Sequence, residues 1–200
     1  MKDRYKETVA ALTEKELLFH LIATQILLLT ISAILGMILF DSVSEFLEIF
    51  SWDDGRILTY GLGAGALVVA VDLLLMKYLP RSYYDDGGLN ERIFSNRGTL
   101  QIALIAAMVA VSEEVLFRGI IQTHTGLVIS SIIFAVVHYR YLFNWFLFMN
   151  IVVLSFLIGY IYAVTGNLAV TIVMHFFIDF FLGLIIKFKA RAAIGGTDVE

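Results

Sequence analysis

Long apolar runs, separated by short polar segments, are the dominant pattern along this 200-residue chain. A helix that crosses a membrane needs about 20 mostly apolar residues. The pattern predicts six such helices, and therefore an all-α, polytopic membrane helical bundle in a single domain of residues 1–200. The predicted spans cover residues 17–40, 57–79, 100–122, 127–143, 146–164 and 168–188.

Four polar segments complete the predicted organisation. Residues 1–16 and 189–200 are polar termini, and we expect the second of them to be frayed. Residues 41–56 alternate acidic and apolar side chains, which favours an interfacial amphipathic helix. Residues 80–99 begin with the single proline and contain a pair of glycines, which predicts an extended loop.

The composition indicates a protein whose surroundings are lipid. Hydrophobic residues make up 60% of the chain and the mean hydropathy is +0.86, whereas soluble domains are nearer to about half apolar. The lack of cysteine excludes disulfides and a thiol nucleophile. The net charge of −4 is small and the basic residues are dispersed. We therefore expect the lipid bilayer, and no nucleic acid, as a partner.

Lysine and arginine residues gather on one side of the predicted spans. If six spans place both termini in the cytoplasm, every basic residue except Arg56 and Arg118 lies on the cytoplasmic side. Cytoplasmic segments of membrane proteins carry an excess of lysine and arginine. The pattern therefore predicts an integral membrane protein with both termini cytoplasmic.

Ionisable side chains lie inside the predicted spans. Glu113, His138, His175 and Asp179 occupy three of them, and each costs roughly 3 kcal/mol in hydrocarbon unless it is paired or faces an internal cavity. At about 1.5 Å per residue, all four lie within roughly 10 to 17 Å of one membrane surface. We therefore expect them to meet at one internal site. Asp72 is a further intramembrane carboxyl, for which a role beside this site and a helix–helix contact are both open.

Two pairs with a spacing of four residues are expected within this site. Glu114 and Arg118 share a helix face and can form a supporting ion pair. His175 and Asp179 also share a face. Glu113 points about 100° away from its neighbour Glu114 and is therefore free to face a different helix.

Two chemistries are open to these side chains. A buried carboxylate with a nearby imidazole can hold a water and accept its proton, while a second imidazole beside a hydrogen-bond donor can stabilise an oxyanion. Together these groups would hydrolyse a carbonyl compound without a covalent intermediate. Carboxylates and imidazoles are also zinc ligands, which leaves a metal-dependent membrane hydrolase as an alternative.

Three motifs resemble those of the CPBP family, the CAAX protease and bacteriocin-processing enzymes that are also called the Abi family. They are Glu-Glu-x-x-x-Arg at residues 113–118, Phe-x-x-x-His at residues 134–138 and His-x-x-x-Asn/Asp at residues 175–179. They occur in the family's order on separate predicted spans, within a catalytic core of residues 100–188. The resemblance implies a glutamate-dependent intramembrane endopeptidase without a metal or other cofactor.

The resemblance also implies a role for each motif residue. Glu113 would be the base that activates water, and His138 would help to hold that water. His175 and Asp179 would form the oxyanion hole. The prenyl-protein proteases carry asparagine at this last position, so Asp179 would have to be protonated there or would orient His175 instead. The small size and six spans resemble prokaryotic members, which implies a prokaryotic plasma membrane.

The leading expectation is thus an intramembrane peptidase that acts on a peptide or membrane-protein substrate. A non-catalytic membrane partner, such as an immunity or scaffold protein that keeps the polar site, is the second expectation. The metal-dependent hydrolase is the third. The complete set of motif residues favours the first. The substrate, its prenylation, its side of entry and the oligomeric state stay open.

Overall fold

The computed structural model describes residues 2–195, and this part consists of helices without strands. Two of the long helices contain π-helical turns, at Ile57–Leu62 and Val115–Gln122. The predicted all-α polytopic bundle is confirmed. The α-helices are α1 (Lys2–Ala11), α2 (Glu14–Leu39), α3 (Val43–Glu48), α4 (Ile57–Tyr78), α5 (Leu89–Phe94), α6 (Thr99–Thr125), α7 (Leu127–Val137), α8 (Trp145–Thr165) and α9 (Leu168–Gly195).

Local signals fix where several helices begin and end. Thr13 and Glu16 form a capping box at the start of α2: the Thr13 hydroxyl accepts the Glu16 N–H at 3.2 Å, and the Glu16 carboxylate accepts the Thr13 N–H at 2.7 Å. Gly166 has a φ of 58°, the left-handed conformation that ends α8. The chain can therefore reverse direction within two residues and begin α9.

Five of the described helices, α2, α4, α6, α8 and α9, are long and apolar enough to cross a membrane. The predicted span at residues 127–143 differs, because its helix α7 has only 11 residues. That helix is about 16 Å long and cannot cross a hydrocarbon core of about 30 Å by itself. A 3₁₀ segment, Tyr139–Phe143, continues from its end.

The segment from Gly126 to Asn144 nevertheless joins opposite ends of the bundle. Gly126 directly follows the end of α6. The Asn144 amide donates to the carbonyls of Ser82 and Asp85, at 3.0 and 3.3 Å, in the loop that precedes the start of α6. Where the fourth crossing was predicted, a short helix and a 3₁₀ segment together connect the two ends of the bundle.

The loop predicted at residues 80–99 is more helical than expected. It contains a 3₁₀ turn at Arg81–Tyr83 and the six-residue helix α5. α5 buries Leu89 and Ile93, which lie four residues apart on one face, in a cluster with residues of α1 and α2. Two apolar residues four positions apart are too short a pattern to predict a helix from the sequence, unless the surface against which they pack is known.

Two further segment boundaries differ from the prediction. The interfacial helix expected over residues 41–56 is limited to α3, six residues capped by the Ser42 hydroxyl, which accepts the Glu45 N–H at 3.1 Å. The C-terminal segment expected to fray from residue 189 continues α9 to Gly195. Residues 196–200 of that predicted segment lie outside the described residues.

One asparagine holds the chain after α3 against the turn between α8 and α9. The Asn167 side chain accepts the Ser51 N–H at 3.0 Å and donates to the Ser51 carbonyl at 2.7 Å. It also donates to Asp54 Oδ2 at 3.0 Å. We call Asn167, Ser51 and Asp54 the Asn167 clasp.

α9 is the central helix and packs against α4, α6 and α8. Gly65 lets α4 approach closely, because a Cβ at this position would lie 3.3 Å from the Met174 carbonyl oxygen. The opposite side of α9 carries His175, which faces α6. The buried apolar cluster between α4, α8 and α9 consists of Val69, Ile158, Ile161, Val170, Met174 and Ile178.

α1 and the last turns of α9 lie at the same end of the bundle. The Arg92 guanidinium donates to the carbonyls of Val9 and Leu12, at the end of α1. The Lys187 ammonium donates to the Thr99 hydroxyl at 3.1 Å. Arg92 lies in α5, which directly precedes α6, and Thr99 is the first residue of α6, so both of these contacts belong to one end of the molecule.

Candidate active site

Two adjacent glutamates lie in α6, directly before its π-helical part. The Glu114 side chain is fully buried, whereas 12% of the Glu113 side chain is exposed. They point to different sides of the helix, as the angle between successive residues requires. Burial of two carboxylates in a membrane helix requires partners for both.

Arg118 is the ionic partner of Glu114. Its guanidinium lies 3.2 Å from Glu114 Oε1, which confirms the predicted pair. The same guanidinium donates to the Ser155 carbonyl and hydroxyl at 3.1 and 3.3 Å, and its central carbon lies 4.7 Å from the centre of the Phe134 ring. Arg118 thus ties α6 to α7 and α8, and its charge stays balanced although only 1% of its side chain is exposed.

His175 joins the motif carboxylates. Its Nδ1 lies 2.9 Å from Glu114 Oε1, and since the carboxylate accepts, Nδ1 carries the hydrogen. Its Nε2 lies 3.5 Å from Asp179 Oδ2 and 4.0 Å from Glu113 Oε2. One imidazole therefore contacts three carboxylates that come from two helices, and Nε2 faces the two that Arg118 does not neutralise.

His138 lies at the end of α7, where the helix gives way to the 3₁₀ segment. Its Nδ1 is 2.8 Å from the Phe134 carbonyl, and its ring stacks on Phe134 with 4.3 Å between the centres. A carbonyl only accepts, so Nδ1 is the donor and the neutral ring keeps a lone pair on Nε2. Phe134 is also the ring that the Arg118 guanidinium approaches, so one shared side chain links His138 to the Glu114 and Arg118 pair.

The predicted residues are thus brought together to different degrees. Glu113, Glu114, His175 and Asp179 form direct contacts, and Arg118 belongs to the same network. In the described part of the chain, the ring of His138 has no hydrogen bond to any of them. The short helix α7 holds it nearby, with its acceptor nitrogen available to a bound molecule.

Several polar residues around the site were not singled out by the sequence. Gln25 of α2 contacts the Ser112 hydroxyl at 2.6 Å, and both side chains are buried. The Ser155 hydroxyl of α8 accepts from the Arg118 guanidinium at 3.3 Å. The sequence signal for these residues is a polar side chain within an apolar span. Such a side chain by itself more often marks a helix–helix contact than a functional site.

The arrangement also bears on a metal site. Within residues 2–195, no group of three or more histidine, aspartate and glutamate side chains is spaced to hold a metal ion. His175 directs Nδ1 to Glu114, so a single imidazole nitrogen of this residue faces Glu113 and Asp179. In this arrangement, the carboxylates and imidazoles can accept, donate and transfer protons beside a buried carbonyl group or water.

Bundle and site together define a polytopic membrane protein with an internal carboxylate and histidine centre. Residues 95–181 match the family described as type II CAAX prenyl endopeptidase Rce1-like. The chain belongs to this family, which confirms the resemblance, and it is an integral membrane protein of the CAAX-type intramembrane peptidase kind.

Two bacterial proteins are similar to this chain. The uncharacterized protein YpbD of Bacillus subtilis is 41% identical over 166 residues, which cover 83% of this chain and 88% of YpbD. The UPF0177 protein YxdF of Lactococcus lactis is 29% identical over 120 residues, 58% of this chain and 66% of YxdF. No solved structure matches the chain.

Proposed function

We propose that this protein hydrolyses peptide bonds inside the membrane with a water that Glu113 activates, and that its substrate is a peptide or membrane protein. The observation that carries the proposal is the position of His175 Nε2, 4.0 Å from Glu113 Oε2 and 3.5 Å from Asp179 Oδ2. A proton acceptor and an oxyanion-binding group would then lie on either side of one reacting carbonyl.

The base is assigned to Glu113 rather than Glu114 because their partners differ. Oε1 of Glu114 is held by Arg118 and His175, and the Glu114 side chain is fully buried, so water does not reach it. Within the described residues 2–195, Glu113 has no ion pair with arginine, and 12% of its side chain is exposed. A general base needs a free lone pair and access to water, and Glu113 meets both conditions.

The proposed reaction has two balanced steps. In the first, water gives a proton to Glu113 while its oxygen adds to the carbonyl carbon of the substrate. The lone pair of His138 Nε2 helps to hold that water. In the second, the tetrahedral intermediate collapses, the carbon–nitrogen bond breaks, and Glu113 returns the proton to the leaving amine.

His175 and Asp179 are proposed to stabilise the oxyanion formed in the first step. Nδ1 of His175 already donates to Glu114, so donation from Nε2 requires the doubly protonated ring. Three surrounding carboxylates can balance the charge of that form. Asp179 contributes a hydrogen bond to the oxyanion when it is protonated, or orients His175 when it is not.

The test uses purified protein in lipid nanodiscs and a panel of membrane-anchored, internally quenched peptides. The panel includes peptides with CAAX-type sequences, each in a prenylated and an unprenylated form. We expect the wild type to cleave at least one peptide, and Glu113→Gln to cleave it about 10² to 10⁴ times more slowly while keeping its fold. Glu45→Gln, an exposed carboxylate on α3, is the matched control.

Two results would count against the proposal. Cleavage by Glu113→Gln at the wild-type rate would show that Glu113 is not the base. Equal binding of a panel peptide by both proteins, with no cleavage by either, would favour the non-catalytic membrane partner that the sequence also allowed.

We also propose that both termini face the cytoplasm of a prokaryotic cell. The distribution of lysine and arginine supports the orientation, because Arg56 is the one basic residue expected on the outer side. The similarity to proteins of Bacillus subtilis and Lactococcus lactis supports the prokaryotic setting.

A further inference from the structure

Asp72 is a membrane-embedded carboxyl outside the candidate site. It lies in α4, six residues before the last residue, Tyr78, and therefore about 9 Å from that end of the helix. The side chain is half-buried, and within residues 2–195 it has no hydrogen bond or ion pair. An ionisable side chain at such a depth is costly, and a partner is expected for it.

The face on which Asp72 lies is the one that α4 turns towards α9. Gly65, Val69, Asp72 and Met76 follow one another at intervals of four, three and four residues and form one stripe. Gly65 lies against α9, since a Cβ there would be 3.2 Å from the Phe177 ring, and Val69 is buried in the apolar cluster of α4, α8 and α9.

The contact between α4 and α9 loosens at the level of Asp72. Gly65 and Val69 are buried, whereas Asp72 and Met76 on the same stripe are only half-buried. The residues beside Asp72 face the lipid, with exposed fractions of 45% for Val71, 41% for Leu73 and 55% for Leu74. The carboxyl therefore lies at an edge that a second membrane helix can reach.

The two basic side chains nearest along these helices are directed elsewhere. The Lys77 ammonium lies 5.4 Å from the centre of the Tyr78 ring. The Lys189 ammonium lies 3.7 Å from the Met76 sulfur, one turn away from Asp72. Among residues 2–195, no basic side chain forms an ion pair with this carboxyl.

We propose that Asp72 is a docking point for a partner membrane helix that carries one arginine or lysine at the same depth. An unpaired carboxyl inside the membrane favours a partner of opposite charge, because pairing removes most of the free-energy cost of placing either charge in lipid. The partner helix would lie along α4 at the edge of its contact with α9. This inference does not depend on the proposed peptidase activity.

The experiment measures association between the full chain and a model helix in nanodiscs. The probe is a leucine-rich transmembrane peptide with a single arginine six residues from one end, and its control carries leucine there. The native chain has no cysteine, so a cysteine at Ser44 carries the donor dye and the peptide carries the acceptor. We expect the arginine peptide to associate at least about tenfold more tightly with the wild type.

Three variants decide whether Asp72 is responsible. Asp72→Leu and the isosteric Asp72→Asn should remove the preference for arginine. The double variant Val71→Asp, Asp72→Leu keeps a carboxyl at this level but turns it by about 100° around the helix, and it should also lose the preference. An equal affinity for both peptides in the wild type, or an arginine preference that survives in any of the three variants, overturns the proposal.

Discussion

Among single residues, the neighbours Glu113 and Glu114 illustrate how one step along a helix changes the chemistry of a side chain. Glu114 contacts Arg118 and His175 and is fully buried. Among residues 2–195, the charged contact of Glu113 is with Nε2 of His175, at 4.0 Å. We therefore expect the loss of Glu114 to act mainly on stability and the loss of Glu113 to act mainly on the reaction.

The buried pair of Glu114 and Arg118 leads to a stability prediction. Arg118→Ala or Glu114→Ala leaves the other charge buried and uncompensated, at a cost of about 3–5 kcal/mol in the free energy of unfolding. The double variant should be destabilised by less than the sum of the two single variants. Unfolding in mixed detergent micelles measures all three, and strict additivity would contradict a direct interaction.

An exposed ion pair on the same chain serves as the control. Arg81 and Glu91 approach to 3.9 Å, and their side chains are 84% and 59% exposed. Neutralising either of them should change the free energy of unfolding by less than about 1 kcal/mol, because solvent screens the pair. A loss as large as that of Arg118→Ala would show that the assay responds to charge alone.

Asp179 separates the proposed mechanism from a metal-dependent one. Asp179→Asn should keep substantial activity, because the amide can donate to an oxyanion in the place of a protonated carboxyl. Asp179→Ala should lose roughly 10²-fold or more in rate, the usual effect of removing such a donor. Cleavage rates of both variants on the same peptide provide the measurement.

A metal site would reverse this order. Asparagine is a poorer ligand than aspartate, so Asp179→Asn would then lose both the metal and the activity. We expect chelators to leave cleavage unchanged and elemental analysis to find no stoichiometric zinc. Stoichiometric zinc that disappears together with activity in Asp179→Asn would sink the metal-free mechanism.

Among the elements, the turn between α8 and α9 is fixed by the Asn167 clasp. The Arg56 guanidinium and the Asn167 amide both donate to Asp54, and they hold the pKa of the Asp54 carboxyl well below its usual range. A carboxyl with a lowered pKa in the folded state stabilises the fold above its unfolded pKa, near about 3.9. That contribution is lost as the pH falls through the folded pKa.

A pH titration of stability tests this contribution. Between about pH 5 and pH 2, the melting temperature of the wild type should fall by more than that of Asp54→Asn, which has no carboxyl to protonate there. Asp53→Asn changes an exposed neighbour and should behave like the wild type. Parallel curves of melting temperature against pH for wild type and Asp54→Asn would show that the Asn167 clasp does not contribute to the pH dependence of stability.

The elements that the sequence predicted well are those with long apolar runs. α2, α4, α6, α8 and α9 lie where hydrophobicity placed them, because a membrane span has to be apolar over its whole length. The early end of α7 and the formation of α5 were not predictable in the same way. Each depends on contacts with distant segments, such as the bonds from Asn144 to Ser82 and Asp85.

For the whole molecule, the proposed topology of six crossings with both termini cytoplasmic leads to a labelling prediction. Ser44 lies in α3, after the end of α2, and Gly195 ends α9. Cysteines introduced singly at these positions should react with an impermeant maleimide from opposite sides of sealed vesicles, with the Gly195 position cytoplasmic. Labelling of both from the same side would refute this topology.

The candidate site could be anticipated only in part, because it is assembled from the whole chain. From spacing and depth, the sequence predicted that Glu113, His175 and Asp179 meet, and these side chains do lie close together. Other residues around the site come from helices without a motif: Gln25 of α2 binds Ser112, and Ser155 of α8 binds Arg118. Such partners are specified by packing between helices, which a single sequence does not state.

The hydrogen bond between Gln25 and Ser112 has a consequence for how the protein is made. Its two residues are 87 positions apart, which at a synthesis rate of about 5–20 residues per second corresponds to roughly 4 to 17 s. During that interval the new α2 has already left the ribosome, and its glutamine amide has no Ser112 to bind. Until α6 is synthesised, α2 therefore either stays close to the insertion machinery or satisfies its Gln25 side chain with water or another polar group.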